Sequence, residues 1–257
     1  MAGRLGANPA FIGKLGDDAP GAVLRESLKT AGVDGTWLRR SDVGTGAAGI
    51  FVDDAGQNCI VVSAGSNADL TAEDVRSALE AVQPSVVLVQ FEIPRPAVEA
   101  CAGPWSLIVN PAPAHPVSES FWGYVEAVVP NETETEMFTG IRPIDDSSCA
   151  AAAKWFLDRS VRRVILTLGD KGCVMIDARS VLRVEALDVP VVDTTAAGDA
   201  FCGALAHFVT IGLDWPEALH RANAAAALST TKHGAQTSMP TLDEFESFLR
   251  TMKHPPG

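Results

Sequence analysis

The sequence predicts an α/β protein built on a mostly parallel sheet with helices on both faces. Three observations carry that expectation. Of 257 residues, 47% are hydrophobic and only 6% aromatic, with alanine and valine prominent, a composition suited to strands covered on both faces. The runs "SVVLVQF" and "WSLIVN" are continuously apolar, without the alternation of a half-solvated strand. Such runs also alternate with helical segments, which is the sequence pattern of parallel strands joined by crossover helices. The length suits one large domain or one domain with a small appendage.

In chain order, "DDAPGAVLRESLKTAG" reads as an amphipathic helix with Val23, Leu24 and Leu28 on one side and Gly32 ending it. From Thr36 to about Ser63 the texture becomes β-prone, "GIFVDDAGQNCIVVS", with a turn at "DDAG". A helix over 71–82, carrying Leu79 and Val82, leads into the strand "SVVLVQF". "WSLIVN" and "YVEAVVP" are further strands, followed by the acidic "NETETEMFTG" and a helix over 145–159. "VRRVILTLGDKGCVMI" is a strand, a glycine turn and a strand. Helices from Gly198 to Leu213, from Pro216 to about Thr230 and from Leu242 to Met252 complete the chain.

Charge and cysteine content narrow the partners. With 32 acidic and 20 basic residues the net charge is −12, which argues against nucleic acid or an anionic membrane as the main partner. A phosphorylated ligand stays open, because backbone N–H groups hold phosphate without side-chain charge. Five dispersed cysteines form no CxxC and no zinc-like cluster, as expected for reduced thiols in the cytoplasm. The segment "MAGRLGANPAFIG" lacks a signal-peptide core, and no run approaches transmembrane length. "GTGAAG" fits GxGxxG, but the strand-like "IFVDD" follows it. A dinucleotide site needs a helix there, so these glycines are read as permitting close approach in a β-lid.

The richest stretch is "VVDTTAAGDAF". A valine-rich segment stops, small residues turn the chain, and an apolar helix begins near Gly198. The N–H groups of Ala197, Gly198 and Asp199 would be unpaired donors at a helix start, open to an anion. Asp199 has two readings on spacing alone. It offsets the helix dipole, or it is a general base beside a transferring phosphoryl group.

"DTTAAGD" resembles the signature of the PfkB carbohydrate kinases, the ribokinase-like superfamily. In order along almost the whole chain, "GANPAFIGKLGDDAPG", "TGAAGIFVDDAGQN", "VVSAGSNA", "VQFEIP", "NPAPA", "PNETETE", "LTLGDKG" and "GAQTSMP" are similar to that family's motifs. The resemblance implies a single three-layer α/β/α domain over 1–257 with a small β-lid at about 36–63. It implies ATP-dependent phosphorylation of D-ribose at O5, giving D-ribose 5-phosphate. A related sugar kinase, or a catalytically impaired nucleotide-binding pseudokinase, is the alternative. A homodimer through the lid is also implied.

By the same resemblance, Asp199 is the catalytic base and Ala196, Ala197 and Gly198 form the anion hole. Asn131 and Glu134 organise Mg²⁺ and the ATP phosphates, largely through water. Thr167, Gly169 and Gly172 lie beside the nucleotide, and Asn223 on its adenine side. A monovalent cation, K⁺, is implied at Asp193, Thr195, Ser229, Lys232, Gly234 and Ser238, mostly through carbonyl oxygens. Glu92 is implied to hydrogen-bond the sugar, and Ala48 and Ile50 to cover its apolar face. The family's first strand, a sugar-gripping aspartate and a GGxGxN motif have no counterpart in the chain. That implies an N-terminal truncation of about 40 residues and a half-built sugar site, with a second shortening between Glu92 and "NPAPA".

Overall fold

A computed structural model describes residues 1–52 and 58–253. The chain divides into two compact units, one of Pro9–Gln83 with Glu92–Cys101, the other of Met1–Asn8, Pro84–Phe91 and Ala102–Gly257.

In the smaller unit, β1 (Gly13–Gly16) pairs in parallel with β2 (Leu38–Ser41), and α1 (Ala19–Thr30) connects them. Asp18 caps α1 by accepting from the Gly21 N–H at 2.9 Å. The same carboxylate accepts the Thr45 N–H at 2.7 Å and its hydroxyl at 2.5 Å, which fixes the entry to the next strand. β3 (Ala47–Val52) and β4 (Asn58–Ser63) form an antiparallel pair in register Ala47↔Ser63. The expected "DDAG" turn lies outside the described residues. "GTGAAG" leads into β3 rather than a helix, and a Cβ on Gly46 would stand 2.5 Å from the Ala64 carbonyl oxygen, so close backbone approach is its physical role. α2 (Ala72–Val82) starts with a reciprocal cap between Thr71 and Asp74. α3 (Arg95–Glu99) is five residues long.

The apolar stripe expected on α1 is corrected. Val23 is 68% exposed, and Gly21 is the buried residue of that helix. A Cβ on Gly21 would meet the Gly16 carbonyl oxygen at 2.4 Å, so the helix seats on β1 through a glycine instead of a valine row.

The larger unit holds a six-stranded sheet in spatial order β10-β9-β8-β7-β6-β5. Its strands are β5 (Val86–Gln90), β6 (Ser106–Asn110), β7 (Val125–Val128), β8 (Arg163–Thr167), β9 (Cys173–Asp177) and β10 (Val181–Val184). The first four run parallel, and β9 and β10 are antiparallel additions. The helices are α4 (Glu119–Trp122), α5 (Glu132–Thr139), α6 (Asp146–Leu157), α7 (Ala197–Thr210), α8 (Trp215–Ser229) and α9 (Leu242–Lys253).

Side chains alternate across each strand, and both faces of this sheet are covered. Ile108, Ala127, Val129 and Ile165 join one core with Phe201, Leu205, Leu219 and Phe245 of α7, α8 and α9. Aromatic rings also pack edge to face: Trp122 meets Phe138, Trp155 and Phe156 at centroid distances of 5.5 to 6.0 Å. Truncating a buried ring such as Phe201 would cost about 3–5 kcal/mol. Cys101, Cys149, Cys173 and Cys202 are buried, and the Cys101 thiol donates to the Ala97 carbonyl at 3.6 Å. Among the described residues no helix is long and apolar enough to cross a membrane.

Candidate active site

The carboxyl ends of four adjacent parallel strands bring polar side chains to one edge of the sheet. Gln90 ends β5 and is the register partner of Asn110, which ends β6. Asn131 follows β7 and forms a parallel bridge with Thr167 at the end of β8. That edge is where ligands bind in open α/β sheets. Thr167 donates its N–H to the Pro130 carbonyl at 3.0 Å, so the "PNETETE" and "TLGDKG" segments are stitched together at their bases.

Asp199 stands in the first turn of α7, and its Oδ1 accepts from Gln90 Nε2 at 2.9 Å. It keeps solvent access, yet crowding by surrounding protein raises its carboxyl above the usual carboxylate range. The Gln90 amide and, more weakly, the Met1 amino group oppose that rise. Among the described residues no cation stands within ion-pair distance of it.

The turn before Asp199 is built for an open helix mouth. Ala196 sits at φ 59°, in the left-handed region, and gives α7 no side-chain cap. The expected cradle is narrower than the sequence suggested. The Ala197 N–H is turned back onto the Thr194 carbonyl at 3.2 Å, because the left-handed Ala196 tightens the chain there. The N–H groups of Gly198 and Asp199 have no partner among the described residues. A Cβ built on Gly198 would meet nothing within 4 Å, so the helix start is open beside that residue. Two convergent donors and open space fit an anionic oxygen.

Asn131 and Glu134 close a reciprocal cap on α5. Glu134 N–H donates to Asn131 Oδ1, and the Asn131 N–H donates to Glu134 Oε2, each at 2.8 Å. Asn131 Nδ2 also donates to Glu134 Oε1 at 2.8 Å. Burial raises the Glu134 carboxyl, and the Asn131 bonds partly offset the rise. Among the described residues no cluster of three or more His, Cys, Asp or Glu is placed to hold a metal. One carboxylate with an adjacent amide fits a cation that keeps much of its water.

Gly169 and Gly172 both adopt positive φ, at 55° and 79°. A Cβ on Gly172 would lie 2.1 Å from the Val184 carbonyl oxygen. Asn223 is buried, with Nδ2 donating to the Glu185 carbonyl at 2.9 Å. Both residues therefore hold the segment that follows β10.

Two loops carrying residues expected around a monovalent cation meet at Asp193. Asp193 Oδ1 accepts the Thr195 N–H at 2.9 Å and Oδ2 accepts the Gly234 N–H at 2.8 Å. The Val192 and Asp193 N–H groups both donate to the Thr230 carbonyl. Bonds from Thr195 and Gly234 lower the Asp193 carboxyl to about 2. Ser229 and Ser238 are buried, their hydroxyls donating to the Ala226 and Ala235 carbonyls. Lys232 Nζ pairs with Glu244 at 2.6 Å, so its side chain is drawn to α9.

The residues expected to meet the sugar belong to the smaller unit. Glu92 is exposed just beyond Phe91, Ala48 is exposed on β3, and Ile50 lies on the same strand with its side chain outside the described set. Gln90 and Asn110 were missed as functional groups. Their one sign in the sequence is that each ends an apolar run in an amide, inside "VQFEIP" and "NPAPA", which does not reveal that the two are paired.

A mostly parallel sheet with an uncapped helix start and a raised carboxylate at the carboxyl ends of its strands marks an α/β protein with a ligand site there. The chain belongs to the pfkB family of carbohydrate kinases, whose family model matches residues 1–242. It is 38% identical to a ribokinase of Haemophilus influenzae, over 96% of this chain and 83% of that one. The solved ribokinase of Thermotoga maritima superposes with a TM-score of 0.86 at 35% identity, covering 97% of this chain and 83% of its own. An Arabidopsis thaliana ribokinase solved with ribose and ATP gives 0.88 at 28% identity, covering 97% and 84%.

Proposed function

We propose that the chain is an ATP-dependent sugar kinase that phosphorylates D-ribose at O5 to give D-ribose 5-phosphate. The observation that carries this reading is the pairing of a raised, accessible carboxylate at Asp199 with two unpartnered N–H donors at the same helix start. A carboxylate with a raised proton affinity is a better proton acceptor than an ordinary aspartate. Asp199 takes the O5 proton as that oxygen bonds to the γ-phosphorus of ATP and the bond from that phosphorus to the bridging oxygen breaks, so that ADP leaves; the Gly198 and Asp199 N–H groups meet the charge on the transferring group. ATP with Mg²⁺, when bound, supplies that group; Asn131, Glu134 and Thr167 would hold its phosphate side.

In the same reading Asp193, Thr195, Ser229, Lys232, Gly234 and Ser238 would hold K⁺, mostly through carbonyl oxygens. The cation adds positive potential to an acidic chain. Glu92 binds sugar hydroxyls, and the β3–β4 pair carrying Ala48 and Ile50 acts as a lid that excludes water. Ribokinase relatives on both sequence and structural grounds favour ribose as acceptor.

The test is incubation with Mg-ATP and D-ribose in K⁺ buffer, with ADP release followed and the product identified by phosphorus NMR. We expect ribose-dependent ADP release and a single 5-phosphate. Nucleotide binding without any ribose-dependent ADP release would overturn the reading.

A further inference from the structure

We infer that Gln90, locked by Asn110, is a positioning residue that presents a hydrogen-bond donor to one oxygen of Asp199 and leaves the other oxygen for substrate. This rests on the reading of Asp199 as the base. The direction of the relay is set at its far end. The Val129 carbonyl can only accept, and Asn110 Nδ2 donates to it at 2.8 Å. Asn110 must then turn its Oδ1 toward β5, where Gln90 Nε2 donates to it at 3.0 Å. The second hydrogen on that nitrogen points to Asp199 Oδ1 at 2.9 Å. A flipped Gln90 amide would face both Asn110 Oδ1 and the carboxylate with its own oxygen, a repulsive arrangement. Two amides at register-paired strand ends therefore convert a main-chain carbonyl into a fixed donor for the base.

The device has a chemical purpose. Asp199 is crowded, and burial alone would push it toward the neutral acid, which accepts no proton. One donor on Oδ1 favours the charged form and also orients the carboxylate plane. Other groups that act on this site are few. The Met1 amino group attracts Asp199. Cys202, on the same helix, is neutral because burial, Asp199 and Glu134 all raise its thiol. Glu134 is itself raised by burial. None of these donates a hydrogen bond to Asp199 among the described residues.

The test compares Gln90→Leu, Asn110→Leu and the double variant with the unmodified chain, with thermal melting as the folding control. The acid limb of kcat should move to higher pH by about one unit in Gln90→Leu, with KM for ATP unchanged. At a pH on that limb this reads as roughly tenfold slower turnover. Asn110→Leu should shift it less, and the double variant no more than Gln90→Leu alone. A carbon-13 carboxyl titration of Asp199 reads the same shift whether or not the chain turns over ribose. It therefore separates failure of this inference from failure of the kinase reading. An unmoved Asp199 titration in Gln90→Leu, or additive shifts in the double variant, would overturn it.

Discussion

The mouths of α5 and α7 are built from similar parts and do opposite things. At α5, Asn131 and Glu134 satisfy each other's backbone N–H groups, so the helix start is closed. At α7 the cap position is an alanine in left-handed conformation, and the Gly198 and Asp199 N–H groups stay open. α1, α2, α6 and α8 are likewise capped by Asp18, Thr71, Asp145 and Asp214. At α7 about 1 kcal/mol of capping stability is forgone and two N–H groups stay open. The carboxylates follow the same division. Asp193, bonded on both oxygens, is lowered to about 2, whereas Asp199, crowded and bonded on one, is raised.

Among changes to the backbone of the two helix starts, the largest effect is expected at Gly198. A side chain there meets no protein atom within 4 Å, so Gly198→Ala should leave the thermal midpoint unchanged or slightly higher. Turnover should fall roughly 10²-fold, because the methyl group fills the space before the donors. Equal loss of stability and turnover would make the open mouth a packing feature instead. Next is Gly172→Ala, which forces a side chain to φ 79° and within 2.1 Å of the Val184 carbonyl oxygen. We expect a destabilisation of at least about 2 kcal/mol in urea unfolding.

A smaller effect is expected at the closed mouth. Asn131→Ala should cost about 1 kcal/mol of stability through the lost cap, and should raise the Mg²⁺ concentration needed for half-maximal turnover. The smallest is the pH dependence of folding. Asp199 has a folded value above its ordinary 3.8, so its contribution is present at low pH and is lost as pH rises through the raised value. Asp193 works the other way: its contribution is present above 3.8 and is lost as pH falls toward 2. Acid unfolding of Asp193→Asn should therefore begin at higher pH than that of the parent chain only if those two loop bonds form.

Much of the fold is legible in the residues. Apolar runs such as "SVVLVQF" announce strands covered on both faces, and "GTGAAG" before an alternating run excludes a dinucleotide helix. The Asp199 turn is legible too, because small residues before an apolar helix leave donors open. Three things were not. Val23 looked like a core residue because periodicity counts apolar side chains and cannot register a glycine making the actual approach. The cradle looked like three donors because spacing does not reveal that a left-handed Ala196 turns the Ala197 N–H inward. Gln90 and Asn110 looked like strand ends, since their meaning depends on a register that only pairing fixes.

The most direct measurement is single-turnover phosphoryl transfer by Asp199→Asn, with nucleotide affinity determined on the same sample. ATP binding and melting should be nearly unchanged, with transfer to ribose slowed by at least about 10³-fold. Transfer within a few-fold of the parent rate would show that residue 199 takes no proton, and would return it to the simpler part of a charge at a helix start.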